Sequence, residues 1–188
     1  MQALLNEIIT NNFVGMPRAQ VQLSPHNDDW LKFGQSLVDQ LSLLFSHLNM
    51  SWHHIGSTSI PAIHAKPIID ILGVTQDLSQ YECDEHKLIT LGFTCKGEYL
   101  IPSRRYCVLY NKEQTKSYIH LHVYEKNNPE VERHLLFSEY LKSNNQHALD
   151  YNNLKLDLFK KYANKREAYT KNKSEFIERI IAIAKSNE

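Results

Sequence analysis

From Asn27 onward the apolar positions recur every three or four residues. Trp30, Phe33, Leu37, Leu41, Leu44, Phe45 and Leu48 fall on one stripe and predict an amphipathic helix. Asn27 suits its N-cap, and Asp28 and Asp29 suit the positive end of its dipole. Before it, Met1 to Gln20 reads as a short helix and an irregular lead-in. Ser51 to Gly56 reads as a short strand followed by a turn-rich stretch. Pro67 to Val74 is β-branched and almost wholly apolar, the pattern of a strand buried on both faces, with one charge, Asp70, in its middle. Asp77 to Leu91 predicts a helix closed by Gly92. Two or three strands follow across Phe93 to Leu109, with turns at Gly97 and Pro102. Ser117 to Tyr124 alternates strictly, so Tyr118, His120, His122 and Tyr124 share one face of a strand and Ile119, Leu121 and Val123 the other. After Pro129 the spacing is helical throughout. Helix, strands with a crossover helix, then helices imply an α+β fold, a mixed sheet flanked by helices with a helical C-terminal third.

Composition narrows the function. At 188 residues, 42% hydrophobic, the chain fits one domain with a sizeable core. Twenty-one Lys and Arg balance 21 Asp and Glu, which argues against a general nucleic-acid binder. Apolar runs are too short to span a bilayer, and the first residues lack the pattern of a signal peptide, so a cytoplasmic protein is expected. Cys83, Cys95 and Cys107 are too far apart for a C-x-x-C pair and are expected to be free thiols.

Three places hold polar residues that a purely structural sheet does not need. Gly56, Ser57 and Thr58 end a strand in a turn where backbone and hydroxyls can approach a phosphate, although most such tripeptides are ordinary turns. Lys66 precedes Asp70 by four residues; a carboxylate in an apolar strand needs a metal, a cation or several hydrogen bonds. His120 and His122 can converge on a metal or on phosphate oxygens, or can simply occupy a half-exposed sheet face. Arg104 and Arg105 precede a strand, and either could fork onto a phosphate or face solvent.

The block His54-Ile-Gly-Ser-Thr-Ser-Ile-Pro-Ala-Ile-His-Ala-Lys-Pro-Ile-Ile-Asp-Ile71 resembles the H-I-G-S-T-x-x-P-G-x-x-A-K-P-x-I-D-I signature of the GrpB family, within the nucleotidyltransferase superfamily. His120-Leu-His-Val123, Glu132-Arg-His-Leu135 and the tail from Lys165 to Phe176 extend the resemblance over residues 21–183. Ala62 departs from it, standing where the family usually has glycine. The resemblance implies a single domain: a lead-in (1–20), a nucleotidyltransferase-like core (21–128) and a helical part (129–188). It further implies that Gly56, Ser57 and Thr58, with Arg104 or Arg105, contact the phosphates of a nucleotide or phosphorylated small molecule. Asp70 is then the metal carboxylate, with Lys66 neutralising developing charge. The superfamily's second acid falls at Leu72, and the neighbouring strand offers His120 and His122 instead. The implied cofactor is therefore a divalent ion, magnesium or manganese, with zinc better suited to imidazole. Nucleotidyl transfer is the leading expectation. The alternatives are a non-catalytic nucleotide-binding or regulatory module, linked to coenzyme A metabolism through relatives fused to dephospho-CoA kinase, and a metal-dependent phosphoesterase.

Overall fold

The computed structural model describes residues 1–18, 21–163 and 165–187. Ala19 and Gln20, the end of the expected lead-in, lie outside the described residues, as do Asn164 and Glu188. The chain begins with α1 (Gln2–Thr10), the short β1 (Met16–Pro17) and α2 (Asp28–Leu44). The apolar stripe of α2 forms as its spacing predicts, and the Asn27 side chain accepts a hydrogen bond from Asp29 N at 2.9 Å. Then come β2 (Met50–Ile55), a single 3-10 turn (Ser57–Ser59) and β3 (Ile69–Thr75). Two short helices, α3 (Leu78–Asp84) and α4 (His86–Thr90), lead to β4 (Phe93–Cys95), β5 (Arg105–Tyr110) and β6 (Lys116–Glu125). The helical part is α5 (Pro129–Ser143), α6 (Asn145–Tyr162), α7 (Arg166–Lys171) and α8 (Ser174–Ser186).

The sheet runs β2-β3-β6-β5-β4, with β1 added beside β6. Among the described residues only β3 and β6 pair in parallel, so the sheet is mixed. On one face, Trp30, Phe33, Leu37 and Leu41 of α2 pack with α1, α3 and α4 against Trp52, Ile69, Ile71, Ile119 and Leu121. Each such side chain removed from water contributes roughly 1.5–3 kcal/mol. On the other face, Val131 and Leu135 of α5 cover Ile55, Leu72, Val74 and Tyr124. Beyond that edge, Leu141, Tyr151, Phe176 and Ile180 bind α5, α6 and α8 to Ile60 and Ile63 of the loop after the 3-10 turn.

Three expectations need correction. The helix expected over Asp77 to Leu91 is two helices, broken at Glu85, whose carboxyl turns down toward the sheet. Asp70 stands second in β3, near its start, because the strand begins only at Ile69. Two of the three cysteines are not free thiols: Cys95 and Cys107 form a disulfide, and only Cys83 is free. The hairpin register sets them directly opposite each other on β4 and β5, a pairing that sequence spacing does not reveal.

Candidate functional site

The parallel register of β3 and β6 pairs Asp70 with His120 and Leu72 with His122. Because side chains alternate with period two, Asp70, His120 and His122 emerge on the same face. Asp70 Oδ1 lies 3.2 Å from His120 Nδ1 and 3.9 Å from His122 Nε2. One donor atom from each of the three falls within 4.8 Å of the others. Burial alone would raise the Asp70 carboxyl, but hydrogen bonds and charge from both imidazoles outweigh it and hold it well below the usual carboxylate range. Burial lowers His122 against the pull of Asp70, which favours the neutral ring that a metal requires.

Gly56 closes in on this group from the end of β2. Its φ of +71° is one that side-chain-bearing residues rarely adopt, and a Cβ there would stand 2.7 Å from Asp70 Oδ2. Ser57 follows at the wall of the cleft. Thr58 is spent on structure: its hydroxyl donates to Ile68 O at 3.0 Å and stands 3.1 Å from His54 Nε2, so it accepts from that ring and is 1% exposed. His54 itself packs against Gly34 of α2, and burial pushes its ring down to about 4. The opening part of the signature block thus holds the turn, while Gly56 and Ser57 face the cavity.

That cavity has a volume of about 340 Å³ and lies between the turn and the helical part. Lys66, Arg133, Lys155 and Lys173 line it, opposed among its described lining residues by one carboxylate, Asp70. An adjoining lobe of about 390 Å³ shares Gly56, Lys66, Asp70, His134 and Lys173 and adds His120 and His122. Lys66 stands 4.7 Å over the Tyr169 ring. Lys155 is 1% exposed; its ammonium donates to His64 O and lies 4.6 Å from the Tyr151 ring. Burial, joined by the charge of Lys173, pushes that amine well below its ordinary value. Asn152 anchors the same loop, accepting from His64 N at 2.7 Å. His134 of α5 faces the triad, its ring centroid 5.8 Å from that of His122, and burial lowers it to about 4.

The two arginines part company. Arg104 is buried; it donates to Glu98 O and Tyr99 O, lies over Tyr106, and places positive charge beside His122 and His134. Arg105 emerges on the opposite face of β5 and pairs with Glu82, away from the cleft. Arg133, His134, Lys155 and Lys173 carry no role in the sequence reading. Lys155 leaves one trace there: it falls on the apolar face of α6 with Tyr151 and Leu158, where an exposed lysine would not belong.

One carboxylate and two imidazoles form a donor set for manganese, zinc or another transition ion rather than for magnesium, which favours an oxygen cage. His122 Nδ1 is buried and has no hydrogen-bond partner among the described residues, so that ring is held by packing and by its Nε2 side. Asp70, His120 and His122 would hold the ion.

A profile described as GrpB protein matches residues 20–182. The chain belongs to the GrpB family. It is 35% identical over 161 residues to the UPF0157 protein YqkA of Bacillus subtilis, spanning 86% of this chain but only 46% of YqkA. It is 28% identical to the glutamate-rich protein GrpB of Alkalihalophilus pseudofirmus, spanning 89% of this chain and 98% of that one. The crystal structure of GrpB from Enterococcus faecalis superposes with a TM-score of 0.78 at 28% identity, over 87% of this chain and 96% of that chain. Cid1 poly(U) polymerase bound to MgATP superposes with a TM-score of 0.51 at 16% identity, over 76% of this chain and 45% of its own. That likeness identifies the nucleotidyltransferase-like fold of this GrpB chain. Among the described residues no helix is long and apolar enough to cross a membrane.

Proposed function

We propose that this GrpB-family chain binds a nucleotide or another phosphorylated small molecule over one divalent transition-metal ion held by Asp70, His120 and His122. The observation that carries the reading is the junction of that donor set with a cavity walled by Lys66, Arg133, Lys155 and Lys173. Gly56 and Ser57 admit phosphate oxygens closely because no Cβ intervenes at Gly56. Lys66 lines the same cavity as Asp70 and offsets charge that develops on a transferring phosphoryl group. A bound ion would polarise a phosphate oxygen and lower the pKa of a bound water or hydroxyl. Nucleotidyl transfer is the leading reaction.

One observation favours a second reading, hydrolysis of a phosphate ester. Leu72, at the position of the superfamily's second acid, is fully buried among Ile55, Val74 and Tyr124, and an imidazole stands beside it instead. The test is incubation with ATP, CTP, GTP and UTP in the presence of manganese, zinc or magnesium. Pyrophosphate release with a nucleotidylated product supports transfer, and phosphate release alone supports hydrolysis. Tight nucleotide binding with neither product supports a regulatory module. Absence of both metal and nucleotide binding overturns the proposal.

A further inference from the structure

On the opposite face of the sheet a second group of metal-ligating side chains converges, outside the cleft and unused by it. Cys95 and Cys107 face each other across β4 and β5, their Cα atoms 4.0 Å apart. Above them the chain breaks between α3 and α4 at Glu85, and Glu85 Oε1 lies 3.6 Å from Cys107 Sγ. The Tyr81 hydroxyl lies 3.9 Å from the same sulfur. One ligand atom from each of Glu85, Cys95 and Cys107 falls within 4.8 Å of the others.

The placement of Glu85 is the informative feature. A disulfide sulfur carries no hydrogen, so a carboxylate turned onto it gains no hydrogen bond there. The nearby cation, Arg105, is already paired with Glu82. Reduction changes the chemistry: two thiolates and a carboxylate are a three-ligand set of the kind that binds zinc, with water completing the tetrahedron.

We propose that Glu85, Cys95 and Cys107 form a second metal site of zinc type, open when the two sulfurs are reduced and closed when they are joined. A dithiol reductant gives two electrons and two protons to the Cys95–Cys107 bond and becomes a disulfide itself. The incoming ion then displaces both thiol protons, and Glu85 supplies the oxygen. Cys107 is fully buried, whereas Cys95 and Glu85 are half-buried, which leaves the ion an approach from their side.

Cobalt(II) titration of the full chain, oxidised and reduced, with Cys83→Ser as the background, tests this directly. Thiolate-to-cobalt charge transfer appears only with sulfur ligands, so cobalt at Asp70, His120 and His122 does not produce it. The expected result is one equivalent of charge-transfer absorbance in the reduced protein and none in the oxidised protein. The band should weaken in Cys95→Ser and vanish in a Cys95→Ser, Cys107→Ser double variant, and Glu85→Gln should shift the titration to higher cobalt. It should persist in a His120→Ala, His122→Ala double variant. A reduced protein with both thiols titratable but no charge-transfer band overturns the proposal, and that comparison needs only the exposed Cys83→Ser background to fold. A band that survives in the Cys95→Ser, Cys107→Ser double variant overturns it as well.

Discussion

On the sheet side of the cleft, Asp70, His120 and His122 are fixed by one parallel strand pairing; on the helical side, Arg133, Lys155 and Lys173 arrive from α5, α6 and the start of α8. The ladder sets the first group by register alone, and its rings keep their relation while the strands stay paired. The second group depends on how helices dock onto the loop after the 3-10 turn, through contacts such as Asn152 and Lys155 to His64. The sheet supplies a preorganised donor set, while the helices supply positive charge kept partly dry at a cost in stability. Metal affinity and anion affinity should therefore fail separately when one wall is altered.

The largest expected effect is at Asp70. Asp70→Asn removes the single carboxylate of the donor set and should abolish manganese or zinc binding in a calorimetric titration of the protein with Cys95 and Cys107 joined, while leaving the sheet folded. Next comes Lys155→Met. Loss of a charge-assisted hydrogen bond to a phosphate should weaken phosphate or nucleotide binding by roughly 1.5–3 kcal/mol, with metal affinity unchanged. The same variant should be more stable, because the buried ammonium is removed. In the fold Lys155 is held well below 10.5, so above its folded value the unfolded chain binds the extra proton and stability rises as pH approaches 10.5. Lys155→Met should flatten that rise in Tm against pH.

His54 offers an effect on the sheet side that is seen only in acid. Its ring is lowered from 6.5 to about 4 in the fold, so the unfolded state binds more protons between those values. Stability conferred above 6.5 is lost as pH falls toward 4, by up to about 3 kcal/mol, and His54→Gln should remove that share of the acid sensitivity. The smallest effect is expected at Arg105, whose partner Glu82 is exposed. Arg105→Ala should cost at most about 1 kcal/mol and leave both metal and phosphate titrations unchanged.

What could be read from the sequence follows the same division. Period two at Tyr118 to Tyr124 placed both imidazoles on one face, and the apolar run around Asp70 marked its strand as interior. Register, which brings that acid beside those rings, is a tertiary fact that alternation does not contain. Thr58 reads as a phosphate contact because a hydroxyl beside glycine suits one, yet packing against Ile68 and His54 consumes it. Adjacent Arg104 and Arg105 look alike in sequence and separate only because neighbours in a strand point to opposite faces. The basic helical wall stayed hidden because helical periodicity shows that Lys155 faces inward, not what it faces.

One ion and one phosphate group are expected to meet between these two walls. A crystal soaked with manganese and a nucleoside triphosphate, measured for anomalous scattering, tests it most directly. The expected map has a manganese peak bounded by Asp70, His120 and His122, with phosphate density reaching Lys66 and Lys155. A manganese peak elsewhere, or triphosphate density outside this cleft, would contradict the account.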